Sequence, residues 1–390
     1  MKVLGMISGT SHDGIDVAIV DFAVQGDELH GTVLHADSVG YDPALRSHLV
    51  ATLPPGLMRY EDVCRLDTAI GQAFAEVAAG AIAAAGDVDL ICSHGQTVFH
   101  WVDGAHALGT LQLGQPAWIA ERTGVPVVAD VRARDVATGG HGAPLASLMD
   151  VLLLEGVPGD AAALNLGGIS NMTVLHHPGG PVAYDIGPAN ALIDAAVRRL
   201  TGDREAYDAD GRLGAAGRVD RGLLAELLAE PYYALPAPRS TGKELFNADY
   251  LDAIVARRPD LPGPDLVATL TALTARTVAD AAADHGVDTL VCSGGGCANP
   301  TLMRMLREDA TGVDVRLSSE FGAPTDTKEA ILFALIGWHT WHGLRGAIAS
   351  CTGAREARVL GAIVPGRGPL RLPEPLPVAP RALRLASQAR

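Results

Sequence analysis

The chain has 390 residues, 48% of them hydrophobic and 19% charged, with a formal charge of −15 at pH 7. That length exceeds what a single core usually serves, so two domains are expected, and the composition excludes disorder across the bulk of the chain. The acidic balance argues against a nucleic-acid scaffold or a binder of anionic membranes, since both need a basic face.

The opening MKVLGMISGT is too short, and too soon broken by Gly and Ser, for a secretion leader. From Gly5 to Phe22, GMISGTSHDGIDVAIVDF joins two β-type apolar runs through a turn dense in Gly, Ser, Thr and Asp. Successive backbone N–H groups and hydroxyls there suit a phosphate chain, with Gly9 and Gly14 admitting close approach. An ordinary hairpin loop is the competing reading. Cys64 to Gly95 reads as a long helix, a Gly, and a short buried strand ending at Ser93. Glu76, Asp87 and Asp89 interrupt this Ala-rich region, so no membrane span is expected. Ser93, His94, Gln96 and Thr97 then form a polar cluster at a strand end, suited to sugar hydroxyls or an amide group.

In ADVRARD, Arg132 offers a planar fork to a carboxylate, with a surface arginine as the plain alternative. Ala161 to His177 repeats the strand–turn–strand pattern. Asp185 in VAYDIGPAN follows an apolar run and precedes a Gly-Pro turn, which puts its carboxylate at the mouth of a strand. A helix cap near Ala191 and a turn brace are the structural alternatives. Lys243 in RSTGKELF is a sugar or phosphate ligand, or closes a surface loop.

Asp265 to Gly296 repeats the helix–Gly–strand unit, with Val287, Asp288, Val291, Cys292 and Ser293 echoing Val88, Asp89, Ile91, Cys92 and Ser93. It ends in Gly294, Gly295 and Gly296, with Asn299 and Pro300 opening the next helix; a tight strand-to-helix connection is the alternative to a nucleotide site. In TDTKEAI, Glu329 sits at a helix start, facing a ligand or completing a capping box with Asp326. From Pro365 the chain is rich in Pro and Arg and reads as an extended tail, ending at most in a short helix. The five cysteines form no CxxC pair, which suggests a reducing compartment. The histidines show no HExxH spacing, so no protein-only metal site is assigned.

Both halves thus open with a hairpin bearing a phosphate-type turn and later place a helix before a Gly-ended strand. The pattern predicts an α/β protein built by internal duplication. Two similar domains, 1–130 and 131–365, would flank a central cleft, with a tail over 366–390. This arrangement resembles the actin, sugar kinase and hsp70-type ATPase superfamily.

The blocks GMISGTSHDGIDVAIVDF, SHGQTVFH, ADVRARDVATGGHGAPL, LNLGGISNMTVL, YDIGPANALID, STGKELF, CSGGGCANPTLM and GAPTDTKEAI, in that order, resemble the anhydro-N-acetylmuramic acid kinase family. The resemblance implies ATP-dependent conversion of 1,6-anhydro-N-acetylmuramic acid, with water, into N-acetylmuramic acid 6-phosphate during cell-wall recycling. Asp185 falls on the family's catalytic aspartate. Gly9, Thr10, Ser11, His12, Asp13, Gly14, Ile15 and Asp16 form the first phosphate turn, and Gly168 beside Ser170 lines the opposing one. Gly294, Gly295, Gly296 and Asn299 serve the adenosine moiety, and Ser93, His94, Gln96, Arg132 and Glu329 serve the sugar. Mg²⁺ would arrive with ATP, with Asp13 either holding it through water or stabilising the turn by an Asx bond.

The chain departs from the family's pattern at Ala189, where Gly is usual, and at Val131, His141 and Cys297. Ala189 would narrow its turn if that position needed a positive φ. A cytoplasmic enzyme with a small-molecule partner is expected, with no nucleic-acid or membrane partner and a homodimer as a candidate assembly. A kinase for another anhydro-sugar such as levoglucosan, or an actin-like nucleotide-dependent assembly protein, are the other readings.

Overall fold

The computed structural model describes residues 1–9, 12–53, 56–104, 106–242 and 245–387. Its strands are β1 (Lys2–Ser8), β2 (Gly14–Gln25), β3 (Glu28–Gly40), β4 (Leu90–Asp103), β5 (His106–Leu113), β6 (Val127–Ala129), β7 (Ala161–Leu166), β8 (Ile169–Val174), β9 (Val182–Pro188), β10 (Thr289–Ser293), β11 (Asp314–Leu317), β12 (Ala362–Val364) and β13 (Ala382–Ser387). The chain divides into one unit of Met1–Glu155 with Phe321–Arg390 and a second of Gly156–Glu320. These bounds differ from the expected 1–130 and 131–365. The segment after Phe321 returns to the first unit because its helix and final strands pack there.

In the first unit the sheet order is β12-β6-β4-β1-β2-β3-β13, with β5 paired to β4. Period-two alternation puts Leu4, Met6, Ile15 and Val17 on one face, packed with Leu66, Ile70 and Phe74 of the helix Tyr60–Ala85. Val3, Ile7, Ala18 and Val20 point to the other face, against Ile331, Phe333 and Leu335 of the helix Lys328–Trp341. A strand covered on both faces reads as a continuous apolar run, which is why VLGMI carries no polar interruption.

In the second unit the order is β11-β10-β7-β8-β9. β7 is antiparallel to β8, β8 antiparallel to β9, and β10 runs parallel to both β7 and β11. The path β6-β4-β1-β2-β3 in the first sheet has the same directions at each step. Parallel strands β4 and β10 each follow a long helix, as a crossover connection requires.

Two expectations need correction. The tail ends in a strand: β13 pairs parallel with β3, Leu383 is fully buried, and Arg384 bonds to Glu28 Oε1 and the Glu155 carbonyl, both at 2.9 Å. The helices Tyr60–Ala85 and Gly263–Asp284 are, by length and composition, apolar enough to cross a membrane. Their apolar residues instead fill cores: Phe74 and Leu66 in one unit, Val267, Leu270 and Val278 in the other. None of the five cysteines forms a disulfide.

Candidate active site

In the first unit, β1 and β4 run parallel, with Met6 opposite Ser93 and Ser8, the last residue of β1, opposite Gln96. Two residues, His94 and Gly95, lie opposite Ile7 alone. This bulge turns His94 out of the strand's alternation. Gln96 is fully buried; its Nε2 donates to the carbonyls of Gly9 and Thr97, both at 3.1 Å, and its Oε1 lies 2.7 Å from Ser8 Oγ. With both amide protons engaged, Gln96 braces the Gly9 turn and has none left for a sugar. Ser93 is also buried, and its hydroxyl has no hydrogen-bond partner among the described residues.

Past Gly9 the turn contains Thr10 and Ser11, which lie outside the described residues. His12 adopts φ 55°, and its carbonyl accepts Arg46 Nε at 3.0 Å. Asp13 is exposed. Gly14 is required by the sheet: a Cβ there would lie 2.5 Å from the Val39 carbonyl oxygen on β3. Ile15 is 1% exposed and belongs to the core, so only its backbone is left for a ligand. Burial raises the Asp16 carboxyl pKa; Ser38 opposes this by hydrogen bonding, and the charges of Asp13 and Asp326 add to it. Among the described residues no three His, Cys, Asp or Glu side chains are grouped closely enough to hold a metal ion by themselves.

Arg132 precedes the short helix Ala133–Ala137. Its Nε donates to His94 Nε2 at 2.6 Å and its Nη1 to the Gly142 carbonyl at 2.6 Å. Asp135 fixes that carbonyl's position, because its Oδ2 accepts Gly142 N–H at 2.8 Å while its Oδ1 accepts the Thr352 hydroxyl at 2.9 Å. Arg132 Nη2 makes no hydrogen bond to a described residue. His94 is buried against Phe333, ring centroids 4.6 Å apart. Burial, then the Arg132 charge, holds its pKa well below the usual histidine range.

Glu329 reaches solvent yet is surrounded by protein. Desolvation raises its carboxyl pKa, Arg132 lowers it and Asp16 raises it further. The capping alternative fails. The helix begins at Lys328 after Thr327, with no side-chain cap bond. Beside Glu329, Lys328 Nζ lies 2.6 Å from Asp150 Oδ1 in a buried ion pair that anchors this helix start.

In the second unit, Asp185 lies on β9 with its Oδ2 accepting Ser240 Oγ at 2.8 Å and Thr241 N–H at 3.1 Å. It does not cap the following helix, Asn190–Thr201, which has no side-chain cap bond. Lys243 lies outside the described residues. Gly168 is exposed, and its carbonyl accepts the N–H groups of Ala189 and Ala191. Ser170 is fully buried and donates to the Gly187 carbonyl at 3.0 Å, which pins the turn. Ala189 has φ −119°, so a side chain costs nothing there through φ.

Gly294 has φ 89°, with room for a Cβ blocked by Asn165 Oδ1 at 2.5 Å. Gly295 is exposed, whereas Gly296 is buried against Leu166. Asn299 is a helix cap: it is buried, and its Oδ1 accepts Leu302 N–H at 3.0 Å at the start of Pro300–Asp309. Its amide therefore serves the helix first.

Asp135, Ser240, Thr241 and the Lys328–Asp150 pair were not singled out from the sequence. Asp135, Ser240, Thr241 and Lys328 carried only the signal of lying inside motifs already flagged, beside Arg132, Lys243 and Glu329, and Asp150 lay in none.

A family model for anhydro-N-acetylmuramic acid kinase matches residues 1–366. Curated relatives with that name occur in Streptomyces coelicolor, 54% identical over 387 residues and covering 99% of both chains, and in Rhodococcus erythropolis, 53% identical with 99% of both covered. One from Streptomyces avermitilis is 52% identical, covering 96% of this chain and 97% of its own.

Proposed function

The chain belongs to the anhydro-N-acetylmuramic acid kinase family, and from that premise we propose how its residues divide the reaction. It is a phosphotransferase of peptidoglycan recycling that turns 1,6-anhydro-N-acetylmuramic acid, ATP and water into N-acetylmuramic acid 6-phosphate and ADP. Water attacks C1, the C1–O6 bond breaks, and O6 takes the γ-phosphoryl group. The chemistry needs a base beside the water at C1 and an aligned phosphate at O6.

Asp185 is the proposed base. The observation that carries this assignment is its carboxylate, held by Ser240 and Thr241 and released from helix capping. That carboxylate is proposed to take the proton of the attacking water. Arg132 is the proposed partner of the lactyl carboxylate: His94 and Gly142 hold one side of its fork and leave Nη2 for the sugar. Glu329, beside Arg132, would receive a sugar hydroxyl. The turn after β1, braced by Gln96, and the turn at Gly168 would cradle phosphates through backbone N–H groups. Gly295 would lie against the adenosine. Mg²⁺ neutralises phosphate charge when it arrives with ATP, and Asp13 and Asp16 would hold its water shell.

The shared strand order and directions of the two sheets support duplication of one ancestral unit. Dependence on ATP supports a cytoplasmic location, and a homodimer is proposed for test by sedimentation. The full-length match favours neither a levoglucosan kinase nor an assembly protein. ADP release tests the whole reading: 1,6-anhydro-N-acetylmuramic acid should stimulate it strongly and levoglucosan weakly, and the reverse order would overturn the assignment.

A further inference from the structure

The backbone and side chain of Asp185 are gripped at four points by one short segment, residues 232–241. Asp185 N–H donates to the Arg239 carbonyl at 3.0 Å, and its own carbonyl accepts the Tyr232 hydroxyl at 2.6 Å. Its Oδ2 accepts Ser240 Oγ at 2.8 Å and Thr241 N–H at 3.1 Å. A segment outside the sheet therefore fixes both where the residue sits and how its carboxylate is turned.

The Arg239 side chain holds that segment in shape. Its Nη1 donates to the carbonyls of Tyr233, at 2.9 Å, and Leu235, folding the segment back on itself. Its guanidinium carbon lies 5.2 Å from the Tyr232 ring centre and 5.5 Å from that of Tyr184, the residue before Asp185 on β9. These are cation–π distances. No described carboxylate lies within 4.0 Å of the guanidinium, and its Nε is buried without a hydrogen bond. Tyr233, the next residue of the segment, stacks on Phe246 at 6.4 Å and 20°, tying the segment to the second unit's helical core.

We propose that Arg239 is a positioning residue for Asp185, acting through Ser240, Thr241 and Tyr232 to fix the carboxylate against the reacting centre. The proposal rests on the reading of Asp185 as the base. Lysine is not equivalent to Arg239, because an ammonium can bond the two carbonyls that Nη1 holds but has no planar guanidinium to lie over the Tyr232 and Tyr184 rings. A misplacement of about 1 Å at a reacting group costs on the order of 10²-fold in rate.

The test measures kcat and both KM values for Arg239→Lys and Ser240→Ala, each in the natural chain and in an Asp185→Asn background, with folding checked by circular dichroism. Arg239→Lys should lower kcat roughly 10- to 100-fold, leaving the KM for ATP within about twofold. In the Asp185→Asn background it should add less than about a twofold loss, because residues acting as a unit are not additive. Unchanged kcat in folded Arg239→Lys, or equal losses in both backgrounds, would overturn the proposal. Should Arg239→Lys not fold, Ser240→Ala decides by the same two criteria, since it deletes one hydroxyl at the carboxylate. Near-normal turnover in Asp185→Asn alone would overturn the base assignment instead, which separates the two failures.

Discussion

Arg132 donates its Nε–H to Nε2 of His94 across 2.6 Å, so the imidazole must carry its proton on Nδ1, which lies 2.9 Å from the Gly95 carbonyl. A neutral His94 thereby turns the arginine, and burial against Phe333 keeps the imidazole neutral. The geometry makes His94, named from sequence as a sugar ligand, a support for the group proposed to bind the sugar's carboxylate.

Replacing His94 by Phe should keep the packing on Phe333 but remove the acceptor. With the loss of one hydrogen bond to a charged group, the KM for the sugar should rise by about 10-fold or more and the KM for ATP should stay nearly constant. His94→Gln, which restores an acceptor oxygen, should recover most of the difference. Equal KM values for the two variants would mean that His94 contributes shape alone.

For Arg132 itself the informative quantity is discrimination. Arg132→Ala should reduce the preference for the natural sugar over an analogue lacking the lactyl group by roughly 2 to 5 kcal/mol in kcat/KM, the range for truncating one partner of a buried charge pair. The analogue never had the contact, so its own kcat/KM should change little. Matching losses for both sugars would demote Arg132 to a scaffold role.

What the sequence disclosed and what it hid follow from the range of the interactions. The hairpins β1–β2 and β7–β8, the long helices before β4 and β10, and the placement of Asp185 on a strand were legible, because local alternation and turn chemistry specify them. Asn299 was legible in part, since Asn before Pro is also the sequence of a helix cap. The brace that Gln96 gives the Gly9 turn was not legible, because the bulge at His94–Gly95 breaks the alternation that shows which way a strand residue points. The need for a glycine at position 14 comes from Val39 on the neighbouring strand. β13 pairs with a strand more than 340 residues earlier, Ala382 opposite Glu28, and a Pro-rich lead-in gives no hint of such a partner.

That correction changes what a substitution at Gly14 should do. A Gly in a phosphate turn would be needed for ATP, but in Gly14→Val the Cβ would meet the Val39 carbonyl oxygen on β3 at 2.5 Å before any ligand. Overpacking of this kind costs about 1 to 3 kcal/mol. Denaturant titration should show that loss, with β2 and β3 forced apart. A variant of unchanged stability that binds ATP poorly would return Gly14 to the phosphate site.

His339 should make stability depend on pH. It is 2% exposed, its Nδ1 lies 2.7 Å from the Arg345 carbonyl, and its pKa is lowered to about 4, chiefly by burial, with the Arg345 carbonyl raising it and His342 lowering it. An unfolded histidine takes a proton near pH 6.5, so the unfolded state binds more protons between the two values and stability falls as pH drops from about 6.5 to 4. The full difference is about 3 kcal/mol. His339→Gln keeps a donor for Arg345 but cannot titrate, so urea unfolding between pH 7 and pH 4.5 should show a shallower slope for it. Parallel slopes for variant and natural chain would show that His339 is not the source.

Asp185 can be tested against the atoms of the reaction. If its carboxylate takes the proton from water attacking C1, Asp185→Asn removes the base while keeping an oxygen to accept Ser240 Oγ and Thr241 N–H, which lie 2.8 and 3.1 Å from Oδ2. Turnover should fall by roughly 10²- to 10⁴-fold, with binding of ATP and sugar retained in calorimetry. In ¹⁸O-labelled water the natural chain should place the label on C1 of the first product, while O6, the former bridge oxygen, carries the phosphate unlabelled. The quench must be prompt because a free reducing sugar exchanges its C1 oxygen with solvent. Label absent from C1 would exclude water attack at that carbon, whereas label at C1 with near-normal turnover in Asp185→Asn would assign the proton to another group.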